Sequence, residues 1–181
     1  MNIVVLNRSD WLDERRVHLV DRRADHIRSV LRAAVGDSIQ VGELNGDLGQ
    51  GRICALDADA VVLEVDLNQP PPPRHRFDIV LALPRPKVLR RLFRTVAEYG
   101  VANLHLINCA RVEKSYWQSP LLAPEKVNDA LLAGMERASD TVAPRVHQHR
   151  RFRPFVEDQL KDLCAGCLLY TSDAADDCWS V

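Results

Sequence analysis

The chain has 181 residues, 46% of them hydrophobic and 27% charged, with a formal net charge of −1. Its start, MNIVVLNRSDWLDERR, lacks the basic region and longer apolar core of a secretory signal. No stretch approaches the ~20 apolar residues of a membrane span, so the expectation is a cytoplasmic protein with no membrane partner and five reduced cysteines.

Residues 1–69 read as a small β module with one helix. IVVL, SIQVG, GRICAL and AVVLEVDL are strand-like and rich in Val and Ile, with turn signals at Gly36-Asp37, Asn45-Gly46 and Asp57-Ala58-Asp59. Between the first two, Ala24, Ile27, Leu31 and Ala34 recur at helical spacing, with Asp21 as a cap and Gly36 as a stop. Several short strands and one helix in so few residues suggest a small β-barrel.

Pro70 to Pro73 cannot donate ladder hydrogen bonds and favour an extended chain, so residues 70–76 read as a short stiff linker. The rhythm then changes. FDIVLAL is a near-continuous apolar strand, as expected where both faces are covered. PKVLRRLFRTVAEYG follows as a helix with Pro86 in its first turn and Gly100 past its end. Its apolar stripe is Val88, Leu92 and Val96 with Leu89 and Phe93, and the arginines take the other side. NLHLI is the next strand, so the unit is βαβ and the sheet parallel. A helix from Pro124 to Ser139, a strand RVHQH and a helix from Pro154 continue the alternation. The second domain, 77–166, is α/β.

A net charge near zero decides nothing about nucleic acid, but the distribution is uneven. From Arg74 to Arg94 seven cations face a single acid, Asp78. RVHQHRRFR forms a second basic cluster, and Arg22, Arg23, Arg28 and Arg32 a third. Each cluster alone reads equally as a solvated face. Three together point to an anionic partner, because such fields act locally at physiological salt.

Other chemistry is thin. NGDLGQG lies between two β segments and reads as a hairpin led by Asn45-Gly46, not as a nucleotide loop. The six histidines show no metal-ligand spacing, and His147 and His149, alternating on one strand face, read as a polar sheet face. No metal is expected, and no Ser/His/Asp or Cys/His arrangement stands out.

HIRSVLR followed by VGDSIQVGELNGDLGQGRI resembles the N-terminal barrel of the RsmE family, bacterial 16S rRNA uracil-N3 methyltransferases, through His26, Val30, Leu31, Arg32, Gly36 and Asp37. VAEYGVANLHLINCARVEKSYW is similar to the family's second domain through Glu98, Gly100, Val101 and Arg111, and MERASDTVAPRV through Glu136 and Pro144. Arg137 stands where the family has Gln, and the family's next arginine falls on Asp140 or is missing. The resemblance covers residues 2–166. It implies a PUA-like RNA-binding barrel joined to a SPOUT methyltransferase domain with a trefoil knot, acting as a homodimer on 16S rRNA of the small ribosomal subunit. It implies S-adenosyl-L-methionine (SAM) as cofactor, bound in segments resembling Gly-Pro-Glu-Gly-Gly and Leu-Gly-x-x-Ile-Leu-Arg-x-Glu-Thr-Ala. Neither segment occurs in this sequence.

The last stretch, CLLYTSDAADDCWSV, resembles translated adapter read-through and has no apolar period, so residues 167–181 read as a non-native tail. The Cys164-x-x-Cys167 pair is then an accident of the junction, and the chain is expected to lack the knot and to be inactive alone. Under this reading Arg111 and Lys114 are the catalytic candidates, stabilising a uracil anion after loss of the N3 proton. His26, Arg28, Arg32, Lys87, Arg90, Arg91 and Arg94 are the RNA-binding candidates, and no cofactor-binding residue is assigned. Two alternatives stay open: a non-catalytic RNA-binding module, and a metal or thiol-redox protein built on the cysteines.

Overall fold

A computed structural model describes residues 1–165. Cys167 and the expected non-native tail lie outside the described residues; Cys164 sits at the end of a helical turn, not at the start of one.

Five strands, β1 (Val4–Leu6), β2 (Arg16–Leu19), β3 (Ser38–Glu43), β4 (Leu48–Leu56) and β5 (Val61–Gln69), form a curled sheet in the order β1-β3-β4-β5-β2. β1 runs parallel to β3 and the other neighbours are antiparallel. Alternation places Val17 and Leu19 of β2 inward beside Val61 and Leu63 of β5, where all four are fully buried. β2 escaped the sequence reading because RVHL is too short to show a period against its charged flanks. The β3–β4 hairpin turns where expected, with Asn45 at φ 61°. β4 shifts register at Leu48/Gly49, where a Cβ on Gly49 would collide with the Asp66 carbonyl.

Helix α1 (Arg22–Ser29) lies against this sheet through Ala24 and Ile27. Asp21 caps it as expected, accepting from the Arg23 amide at 2.9 Å. The helix stops well before Gly36, however. Val30 and Leu31 both donate to the His26 carbonyl, Arg32 turns left-handed at φ 52°, and Leu31 is 45% exposed. Competition from the Asp37 carboxylate, which accepts from the Ala34 amide at 2.7 Å, takes the chain out of the helical path.

The second half is a parallel sheet, β6 (Ile79–Ala82), β7 (Asn103–Ile107) and β8 (Arg145–His149), in that order. Helices α2 (Pro86–Glu98) and α3 (Pro124–Ala138) both cover one face, burying Leu89, Phe93, Leu131 and Met135 with Leu104 and Leu106. They approach so closely that a Cβ on Gly134 would strike the Arg94 carbonyl oxygen and Ala97. The α2 stripe is Leu89, Phe93, Val96 and Ala97; Val88 and Leu92 are only half-buried, because the helix turns its 89/93/96 row to α3.

FDIVLAL does not have both faces covered. Ile79 and Leu81 pack on the core side, while Val80 on the other face is 37% exposed; Phe77, which precedes the strand, is 49% exposed. The reason is position: β6 is an edge strand among the described residues, and both helices share one face. The last helical stretch begins at Phe152 rather than Pro154 and widens over Phe155–Gln159, with Phe155 buried.

The two halves are stitched together. The Asn2 and Ile3 amides donate to the Glu136 carbonyl at 2.7 and 3.2 Å, and the Asn45 amide donates to the Thr141 carbonyl at 2.7 Å. Arg22 grips the buried Glu136 carboxylate with two hydrogen bonds of 2.9 Å. Arg74, inside the proline segment, donates to the Val142 carbonyl at 3.1 Å and pairs with the buried Asp140. The segment is thus irregular but anchored at its basic end. Among the described residues no helix is long and apolar enough to cross a membrane.

Candidate nucleic-acid site

In a parallel sheet, loops leaving the carboxyl ends of the strands form the natural crevice. The register aligns Ala82, Ile107 and His149, so the segments after β6, β7 and β8 emerge at one edge. There a cleft of about 780 Å³ opens between the loop after β7 and the start of the last helical stretch. Its wall is built on Trp117, a buried indole whose Nε1 donates to the Asn108 side-chain oxygen at 3.1 Å. Arg150 lies over that ring at 5.6 Å from its centre and donates to the Trp117 carbonyl at 3.3 Å. Lys114 and the half-exposed Phe152 complete the mouth. Burial pushes the Cys109 thiol up, so this lining cysteine stays protonated at neutral pH.

Of the catalytic candidates, Lys114 lines the cleft, whereas Arg111 is exposed on the preceding turn and is not part of the wall. Lys87 stands in the first turn of α2, at the same sheet edge, and Arg90 and Arg91 follow it as exposed cations. Arg94 is half-buried, and its Nε has no hydrogen-bond partner among the described residues. The third basic cluster is mostly consumed by the fold. Arg23 is buried against Asp10 and Asp21, and Arg22 is held by Glu136. Arg28 pairs with Asp25 and donates to the Asp57 carbonyl at 3.0 Å, which leaves Arg32 exposed and outside the ion pairs of the described residues. His26 faces inward, towards a small cavity it shares with Met1, Ile3 and Ile39, and its Nε2 is buried with no partner among the described residues.

Sequence reasoning counted Arg150 only within a charge cluster and gave Trp117 and Phe152 no role. The strand-end rule is the signal that finds them, since Arg150 immediately follows β8 and Trp117 lies in the first helical turn after β7.

His147 and His149 do form a polar sheet face, joined by His105 from β7, whose register partner is His147. The His105 and His147 rings stack at 4.4 Å, and one nitrogen of the His105–His149 pair donates to the other at 3.0 Å. Phe155 covers His149 at 4.3 Å. Among the described residues no group of three or more His, Cys, Asp or Glu is arranged to hold a metal ion. Burial, then the neighbouring imidazoles, push His105 and His149 below the ordinary histidine value. Protons therefore bind the unfolded chain first as pH falls below about 6.5, and stability drops from there until the folded-state values are passed. Urea midpoints should fall between pH 7.5 and 5.5, and His149→Gln should flatten that slope. An unchanged slope in the variant would remove His149 as one of its sources.

Comparison with known proteins fits this geometry. A family model for the RNA methyltransferase domain matches residues 70–178. A ribosomal RNA small subunit methyltransferase E from Treponema pallidum is 31% identical over 157 residues, covering 86% of this chain and 59% of that protein. A probable rRNA-methyltransferase from Porphyromonas gingivalis superposes with a TM-score of 0.66 at 18% identity, covering 86% of this chain and 64% of the other. A ribosomal RNA small subunit methyltransferase E from Neisseria gonorrhoeae, bound to S-adenosyl methionine, gives 0.60 at 14%, covering 82% and 62%. At such identities these structures establish the fold, a curled five-stranded sheet joined to a parallel α/β sheet. The chain spans 59% of the length of its curated relative. With more than half of its residues matched by the family model, the chain belongs to the RNA methyltransferase domain family, and it is similar to an RsmE protein.

Proposed function

We propose that this chain is the front portion of a cytoplasmic 16S rRNA methyltransferase that methylates uridine N3 with SAM as donor. In this reading the curled sheet is a PUA-like RNA-binding barrel, and the parallel sheet belongs to a SPOUT domain that works as a homodimer. The observation that carries it is the cleft lined by Lys114 and Arg150 at the carboxyl edge of the parallel sheet, the edge from which α2 starts with Lys87 in its first turn. Such a surface suits a polyanion. Arg32, Arg90 and Arg91 would hold phosphates, with Arg28 and Arg94 as partly committed helpers. Uracil N3 must lose its proton before it can accept a methyl group, and a cation beside the uracil carbonyls stabilises the resulting anion. Lys114 is our candidate for that role because it lines the cleft, with Arg111 on the adjoining turn.

SAM does not fit the cleft. Its sulfonium is a cation, and among the described residues the lining offers Lys114 and Arg150 with no carboxylate. The segments that resemble the family's SAM-binding loops are also absent from the sequence, and no step through SAM is assigned to these residues. The chain should accordingly bind a single-stranded 16S rRNA fragment and give no heat on calorimetric titration with SAM. Micromolar SAM binding would overturn the assignment of the donor site to other segments. Failure to bind RNA would overturn the whole reading. A non-catalytic RNA-binding module predicts the same pair of results for these residues, and methylation of small ribosomal subunits by a family-length form separates the two.

A further inference from the structure

Resting on the RNA reading above, we propose that the cleft at the ends of β7 and β8 is a nucleotide subsite. It takes one unstacked base of single-stranded RNA against Phe152, with that nucleotide's phosphate on Arg150 and the base edge towards Lys114.

The chemistry of the lining selects this ligand. A volume of about 780 Å³ is in the range that receives a small ligand rather than a helix. Phe152 presents an aromatic ring that is 47% exposed, although its neighbour Phe155 is buried. An exposed ring beside cations is the combination that binds single strands, because every base has a face to stack and a phosphate to neutralise. The two cations are available. Neither Lys114 nor Arg150 belongs to an ion pair among the described residues, and no acid lines the cleft. The nearest carboxylate in sequence, Glu113, accepts from the Tyr116 hydroxyl at 2.9 Å.

The site is also pre-shaped. Arg150 is held by the Trp117 ring and carbonyl, and Trp117 by Asn108, so the guanidinium is positioned before any ligand arrives. A duplex would gain little here, since its bases are already stacked. An unpaired nucleotide loses less on entering.

The test uses the 181-residue chain and a fluorescein-labelled, uridine-rich ten-nucleotide RNA, read by anisotropy across a salt series, beside the same oligonucleotide with abasic positions. Phe152→Leu is expected to weaken binding about tenfold with an unchanged salt slope, and to have no effect on the abasic strand. Phe152→Tyr keeps the ring and should keep the affinity. Arg150→Gln should weaken binding and lower the slope by roughly 0.7, one phosphate contact on a single strand. If Phe152→Leu and Arg150→Gln both bind like the unaltered chain, while removing Arg90 and Arg91 still weakens it, the subsite is refuted and the RNA reading stands. If the unaltered chain binds neither oligonucleotide, both fall together.

Discussion

Replacing Arg23 by methionine is expected to remove about 3–5 kcal/mol of folding stability, a large share of the ~5–15 kcal/mol usual for a domain. Every N–H of this guanidinium has an acceptor. Nη1 donates to Asp10 at 2.6 Å and to the Val5 carbonyl at 2.7 Å. Nη2 donates to Asp10 and Asp21, both at 2.8 Å, and Nε to Asp21 at 2.9 Å. Asp10 is 9% exposed and also accepts from the Asn7 amide at 2.6 Å. Without Arg23 its carboxylate stays buried with one neutral donor, and that stranded charge is the main cost. The double change Arg23→Met with Asp10→Leu should therefore recover much of the loss. Urea unfolding measures both, and a single-variant loss under 1 kcal/mol would show that water reaches the pair.

The same cluster has an acid signature. Burial raises the Asp21 carboxyl, but hydrogen bonds from the Arg23 side chain and amide outweigh it and leave the group below its ordinary range. Its stabilising contribution is present above the unfolded-state value near 3.9 and is lost as pH falls through the lower folded value. In Arg23→Met this part of the acid limb should shrink.

Changing Lys87, Arg90 and Arg91 together to glutamine should weaken single-stranded RNA binding by roughly two orders of magnitude at 0.1 M salt. The three proposed phosphate contacts would contribute about 0.7 each to the salt slope on a single strand, and their sum multiplies across the decade between 1 M and 0.1 M salt. All three side chains are exposed on α2, and none belongs to an ion pair among the described residues. Their removal should accordingly leave the urea midpoint close to its starting value. Retained affinity with an unchanged slope would assign the RNA-facing surface elsewhere.

The resemblance and the geometry inform different residues. Glu136 is one of the residues that carry the family resemblance. The fold gives it a task, as the buried acid through which Arg22 joins the curled sheet to α3. Asp140, standing near where the family's arginine is expected, is likewise buried and paired with Arg74. A charge in sequence thus became an anchor only once its partner, 66 positions away, was known.

The sequence alone determined what depends on neighbours along the chain. It specified the Asp21 cap, the Asn45-Gly46 hairpin, the bounds of β7 and β8, and the parallel βαβ order, because capping, turn chemistry and periodicity are local. It could not show that α1 ends early, since the competing carboxylate acts through the loop that follows the helix. Nor could it show which cations are free. Arg22, Arg23, Arg28 and Arg32 look alike in sequence, yet among the described residues three are engaged by carboxylates and one is not. The cleft was equally hidden. Lys114 and Arg150 are far apart along the chain, and only the parallel register, which brings the ends of β7 and β8 to one edge, sets them on a common wall.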